Sequence, residues 1–192
     1  VAAETGEMLK VPFIEVVSHS VRAAVKATES GRIGVLGTPA TINSGAHKKQ
    51  ILEIMPAAQV TENSGALLVP LVEAGWYSPD DPVVTETLKR YLKPFSDNNV
   101  DTLILGCTHF PVLAPAISRI MGDGVRLINM GAAAAQVVKQ RLSGADALGN
   151  APAAEHKFFV SDKAASFRQM AELLLSEKIN ENMVFRADVS GL

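Results

Sequence analysis

A thiol, a hydroxyl and an imidazole stand side by side at Cys107, Thr108 and His109, within the stretch LILGCTHFPVL, and this cysteine is the only one in the 192-residue chain. A thiolate can serve as base or nucleophile, and an imidazole two residues away is near enough to exchange a proton with it or to act on it electrostatically. The i, i+2 spacing does not by itself make a hydrogen bond. A bland alternative also fits the pattern: Cys107 as a small buried hydrophobe at a strand end, His109 as a helix cap or surface residue. Position separates the two. LILG reads as a short strand covered on both faces, and Pro111 opens a helix through PVLAPAISRIM. In open α/β sheets the ligand crevice lies at the carboxyl ends of the strands, which is where Cys107 falls. A helix behind it would turn its free N–H groups and positive dipole end toward the sulfur, favouring thiolate over thiol.

Thr38 and Thr41 follow another strand, RIGVLG, in the loop TPATINSG. Hydroxyls and amides at a strand end suit a carboxylate, while Thr and Asn also favour such loops for turn chemistry alone. The loop does not have the spacing of a phosphate-binding glycine motif. Glu73 ends the apolar run LLVPLVE and reads on pattern as a solvated carboxylate. His19, His47 and His156 lack metal-ligand spacing and read as surface or capping residues, HKKQ as a solvated helix face, and Trp76 with Tyr77 as packing under a loop.

These groups need elements to hold them. Short β-prone runs alternate with segments of helical period along most of the chain, the pattern of a mainly parallel sheet with helices on its faces. Strands are expected at VPFIEVV, RIGVLG, AAQVTE, DTLILG, VRLINM, KFFVSD and MVFRADV. Ser18 or Ser20 is expected to cap a helix through VRAAVKATES that stops at Gly31, Ser44 to start the helix GAHKKQILEI, and Asp81 with Pro82 to open VVTETLKRYLKPF. AAAAQVVKQRLSG and AASFRQMAELLL read as helices, LLVPLVEAGW is ambiguous because of Pro70, and ADALGNAPAAE reads as a linker or surface loop.

Composition narrows the class. With 47% hydrophobic residues the chain can bury a sizeable core, and a formal net charge of −2 with a pI near 6.1 gives no electrostatic footprint for nucleic acid or anionic lipid. Small, neutral-to-polar partners fit better. A single cysteine rules out an internal disulfide framework and a Cys-rich metal site, in keeping with a reducing cytoplasm. Apolar runs are far too short to span a membrane, and no leader pattern opens the chain. The opening VAAETGEMLKVPFIEVV lacks Met and reads as the rear of a helix entering a strand, so the chain is expected to be a fragment with part of its core and site upstream.

GCTHFPVL resembles the second cysteine motif of the aspartate/glutamate racemase superfamily, and the surroundings most resemble glutamate racemase. IGVLGTPATINSGAH is similar to that family's threonine-rich substrate loop, LLVPLVEAGW to its glutamate segment, and FFVSDKAASFRQMAELLL to its C-terminal region. The resemblance implies interconversion of L- and D-glutamate without pyridoxal phosphate or metal, by two cysteines on opposite faces of the α-carbon. Inversion demands delivery to the face opposite removal, so the two thiols must start with different protonation. By motif position Cys107 would abstract one proton, His109 would assist it, Glu73 would support that pair, and Thr38, Thr41 and Thr108 would bind substrate.

The chain departs from the family pattern at its start, where an Asp-Ser motif, a Pro-Tyr-Gly motif and the first Cys-Asn-Thr motif are absent, and at LINMG, where an Asp-Ser pair is more usual. The implied parent has two similar α/β domains, the first incomplete here: 1–21 as its remnant, 22–129 as the second domain with the Cys107 motif, and 130–192 as the return to the first. Such a chain carries one catalytic half-site, with peptidoglycan precursor synthesis in the cytoplasm as its setting and a homodimer as a family habit. Racemisation of aspartate or another amino acid, and a non-catalytic binding module of racemase-like fold, are the competing readings.

Overall fold

RIGVLG and TLILG become the two inner strands of a parallel sheet, and their apolar continuity is the reason: a strand covered by helices on both faces has no polar side to show. In the computed structural model, which describes residues 8–9, 12–149, 156–161, 164–175 and 177–188, β1 (Arg32–Gly37) is buried from Ile33 to Gly37 and β3 (Thr102–Gly106) throughout. The more polar β2 (Gln59–Ser64) and β4 (Arg126–Asn129) take the edges, giving the order β2-β1-β3-β4, every neighbouring pair parallel.

Side chains alternate across this sheet. Ile33, Val35 and Ile104 face Val21 and Ala24 of α1 (Val17–Ala27) and Ile51 of α3 (Ala46–Ile54). Gly34 faces the other way, and a Cβ there would lie 2.8 Å from the side chains of both Leu103 and Phe95, so its bareness lets Phe95 of α5 (Pro82–Asp97) lie on the sheet. Leu88, Leu92 and Phe95 are wholly buried in that layer, where α5 packs against α6 (Ala114–Met121). Asp81 caps α5 as expected, accepting from the amides of Val83 and Val84 at 2.8 and 3.3 Å, with Pro82 in its first turn. After β4, Asn129 caps α7 (Met130–Gly144), which packs against α1 on the C-terminal side of the boundary expected at 129.

Four expectations change. VPFIEVV is not a strand within the described residues: 12–15 have no regular structure, and α1 already begins at Val17. The cause is Glu15, whose carboxylate accepts from the amides of Val17 and Ser18 and thereby takes the capping role expected of Ser18 or Ser20. Burial pushes the Glu15 carboxyl upward, but those hydrogen bonds outweigh it and hold the group below its ordinary range. Ser20 instead lies buried, donating to the Val17 carbonyl at 2.7 Å, and α1 ends at Ala27, short of Gly31. TPATINSG is a short helix, α2 (Pro39–Ser44), and the ambiguous LLVPLVEAGW forms α4 (Leu68–Glu73). The helix read at the start of the chain and most of the expected linker lie outside the described residues.

At the amino ends of the strands Asp101 ties down the turn that follows α1. Its carboxylate accepts from the Thr28 hydroxyl at 2.6 Å and from the amides of Glu29 and Ser30 at 2.9 and 2.6 Å. Partial burial works against the charge, yet these bonds prevail and hold the Asp101 carboxyl far below the ordinary range.

The chain forms two compact units, 1–148 and 149–192. In the second, β5 (Phe158–Val160) and β6 (Val184–Arg186) pair in parallel beside α8 (Ala164–Leu175). Phe158 meets Phe167 of α8 at a centroid distance of 5.6 Å, while Phe159 and Phe185 stack at 5.4 Å on an exposed face. Among the described residues no helix is long and apolar enough to cross a membrane.

Candidate active site

The connection from β1 leads to β2 on one side while β3 lies on the other, so the loops after β1 and β3 diverge at a topological switch point. Both strands end in glycine, and Gly37 and Gly106 sit opposite each other in register. A Cβ on Gly37 would lie 2.9 Å from the Thr41 Cβ, and one on Gly106 would lie 3.0 Å from the Leu36 carbonyl oxygen. Two bare positions therefore let α2 fold back over the strand ends and bring Thr41 against the residue that precedes Cys107.

Thr38 is the N-cap of α2, its hydroxyl oxygen accepting from the Thr41 amide at 3.2 Å. The two hydroxyls are 3.0 Å apart, and Thr41 Oγ1 lies 3.3 Å from the Gly106 carbonyl. A carbonyl only accepts, so Thr41 donates to Gly106 and Thr38 donates to Thr41. Both hydroxyl protons are directed inward, and the long bond to Gly106 is the one a carboxylate would draw away.

On the β3 side, Cys107 Sγ lies 3.8 Å from His109 Nδ1, and Thr108 Oγ1 lies 3.5 Å from the same nitrogen. His109 Nε2 is 3.4 Å from Glu73 Oε1. Glu73 reaches the ring because it is the last residue of α4, whose buried Leu68 and Val72 hold that helix beside the 3₁₀ turn Phe110–Leu113. The helix is closed by a Schellman arrangement: Gly75 at φ +82°, its amide donating to Val72, and the Trp76 amide donating to Leu71. The Cys107 side chain is half-buried, the imidazole is 23% exposed and the Glu73 carboxylate 61% exposed, so a small polar molecule has access to the chain of contacts.

All six residues expected at the site thus come together in two linked groups: Cys107, Thr108, His109 and Glu73 in one, Thr38 and Thr41 in the other, joined at Gly106. The element behind the thiol differs from expectation. A 3₁₀ turn intervenes and the α-helix starts only at Ala114, so the sulfur does not abut a full helix dipole. Residue patterns passed over Gly37 and Gly106 as site-building positions, although a strand ending in Gly directly before each reactive segment is the signal that marks them.

His47, expected on the surface, is 2% exposed at the head of α3. Its Nε2 lies 3.4 Å from Met130 Sδ, and its Nδ1 has no partner. Burial lowers its proton affinity, opposed in part by the Glu15 charge. Trp76 is 49% exposed rather than packed under its loop. Among the described residues no three His, Cys, Asp or Glu side chains come together in a way that would hold a metal ion.

A parallel sheet with thiol, imidazole, carboxylate and hydroxyls gathered at its switch point defines an α/β protein whose candidate reactive groups lie at the carboxyl ends of its strands. Residues 1–138 match the model of the Asp/Glu/Hydantoin racemase family, and the chain belongs to that family. It is 36% identical over 178 residues to the glutamate racemase of Geobacter metallireducens, covering 91% of this chain and 64% of that protein. The glutamate racemase of Syntrophus aciditrophicus is also 36% identical, over 93% of this chain and 66% of its own length. The chain therefore spans about two thirds of these relatives. Among solved structures it resembles glutamate racemase isoform RacE1 from Bacillus anthracis with a TM-score of 0.87 and 33% identity, over 97% of this chain and 68% of the other. The Francisella tularensis glutamate racemase in complex with D-glutamate gives a TM-score of 0.83 at 31% identity, over 98% of this chain and 68% of that one.

Proposed function

We propose that this chain supplies one catalytic half of a glutamate racemase. The observation that carries the reading is the run of contacts from Cys107 through His109 to Glu73 at the switch point of a racemase-family sheet. In this reading the Cys107 thiolate takes the α-proton of one enantiomer, or the thiol returns it. His109 exchanges the proton with sulfur, and Glu73 orients the ring and balances its charge in the protonated state. Thr38, Thr41 and Thr108 hold a substrate carboxylate by hydroxyl donation. Neither pyridoxal phosphate nor metal takes part, and a second thiol, on the opposite face of the α-carbon, belongs to a part of the parent outside this sequence.

The parent is a two-domain α/β protein in which 1–21 and 130–192 go with one domain and 22–129 with the other. It works in the cytoplasm on D-glutamate for peptidoglycan precursors and cell-wall shape, as a homodimer that engages neither nucleic acid nor membrane.

The test is α-proton exchange of D- and L-glutamate in deuterium oxide, followed by NMR. A half-site exchanges one enantiomer at most, and Cys107→Ser abolishes that exchange. Sustained metal-free racemisation by the 192-residue chain, seen by circular dichroism, would overturn the half-site reading. Tight glutamate binding without any exchange in the parent would favour a binding module instead.

A further inference from the structure

We infer that Thr108 is a positioning residue that keeps the acceptor nitrogen of His109 from the Cys107 thiol until its own hydroxyl finds another acceptor. The argument is a count of protons. A carboxylate only accepts, and its charge 3.4 Å from Nε2 favours the tautomer that carries the hydrogen there. That leaves Nδ1 with a single lone pair, and two donors approach it: the thiol at 3.8 Å and the Thr108 hydroxyl at 3.5 Å. One lone pair cannot serve both. A hydroxyl is the stronger donor, so in the free site Thr108 holds Nδ1 and the sulfur keeps its proton.

A ligand carboxylate is a better acceptor than a neutral imidazole and draws the Thr108 hydroxyl to itself. Nδ1 is vacated, the thiol proton passes from Sγ to Nδ1, and a thiolate remains beside an imidazolium that faces Glu73. The neighbouring groups allow this. Glu73 of α4 is a charged group in contact with the ring, while the Thr38 and Thr41 hydroxyls and the Gly106 carbonyl at the ends of β1 and β3 are uncharged. The competition for Nδ1 stands on geometry; its release by ligand rests on the proposed glutamate chemistry.

With one cysteine in the chain, iodoacetamide reports on Cys107 alone. Thr108 is exposed, so its variants are expected to fold. At pH 7 Thr108→Val should be alkylated about two- to tenfold faster than wild type, the worth of one hydrogen bond, with Thr108→Ser nearer wild type. The difference should vanish when His109→Asn is added. An unchanged or slower rate, or an acceleration that survives in the His109→Asn background, overturns the competition. Glutarate, a dicarboxylate without an amino group, is the probe for release: at saturation the ratio of the Val variant to wild type should fall toward one. A ratio that stays high with glutarate bound by calorimetry overturns release. Failure of glutarate and glutamate to bind at all overturns the glutamate reading and the release step with it, leaving the competition to stand or fall on the first comparison.

Discussion

The two ends of the parallel sheet are built to different tolerances. At the amino ends of the strands Asp101 gathers three bonds of 2.6 to 2.9 Å from the turn after α1, and the Arg126 amide adds a fourth contact on its carbonyl at 2.8 Å. At the carboxyl ends the contacts among Thr38, Thr41, Gly106, Cys107, Thr108, His109 and Glu73 run from 3.0 to 3.8 Å. Short charge-assisted bonds fix a fold, whereas long, solvent-accessible ones can be exchanged for ligand contacts at little cost, and unliganded catalytic hydrogen bonds are commonly long. On the proposed function, stability and proton chemistry fall at opposite ends of the same strands.

The sharpest test of that division is the thiol. Cys107→Ser should lower α-proton exchange by roughly a thousandfold, the scale of a lost general base, with no loss of thermal stability. Next in size is the clamp: Asp101→Ala should cost about 2–3 kcal/mol of unfolding free energy, because three donors lose a charged acceptor, while exchange per folded molecule is unchanged. Urea titration and exchange on the same samples would show it. An Asp101→Ala protein that kept its stability, or lost exchange in proportion, would end the contrast. The clamp also has its own pH window. Its carboxyl is held well below the ordinary range, so the stabilisation is complete above about pH 4 and is lost as pH falls further through the folded value.

Smaller effects probe the carboxyl end from within. Glu73→Gln should reduce exchange about tenfold with little change in stability, since the carboxylate is largely solvated and its ring contact is a surface ion pair at most. Thr38→Ala removes the cap of α2 and should cost about 1 kcal/mol together with weaker glutamate binding. Thr38→Asp restores the cap but places a charge against a carboxylate, so it should recover stability and leave binding poor. Recovery of both would show that Thr38 serves the helix alone.

Much of this was legible in the sequence because it depends on short, one-sided signals. Continuous apolar runs marked β1 and β3, Asp81-Pro82 marked α5, and the family motifs named six candidate residues that the fold gathers at the carboxyl ends of the strands. What was not legible depended on contacts between distant segments. Nothing near Glu15 marks it as the cap that makes 12–16 an approach to a helix rather than a strand; β-prone Val and Ile yielded to a carboxylate that satisfied two amides. Asp101 sits 73 residues from Thr28, and no local pattern pairs them. TPATINSG has loop composition, yet one threonine at its N-cap and a φ of +60° at Gly45 suffice to fold it as a turn of helix.

His47 was missed for the same reason, and it supplies the finest test of the contrast, because it sits near the carboxyl end yet is 2% exposed at the head of α3, next after the helix that carries Thr41. Burial lowers its proton affinity in the folded protein, with Glu15 acting in the opposite direction. An unfolded chain would take up that proton near pH 6.5, the folded one only at lower pH, so between the two values the unfolded state holds more protons. The sign follows: the contribution is complete above about pH 6.5 and is lost as pH falls through the folded value. His47→Gln should flatten the change in urea midpoint between pH 7.5 and pH 5, a window well above that of Asp101. If the variant and wild type lose stability in parallel over that range, the imidazole is not held neutral by its surroundings, and the carboxyl end is as loosely built around His47 as it is around the thiol.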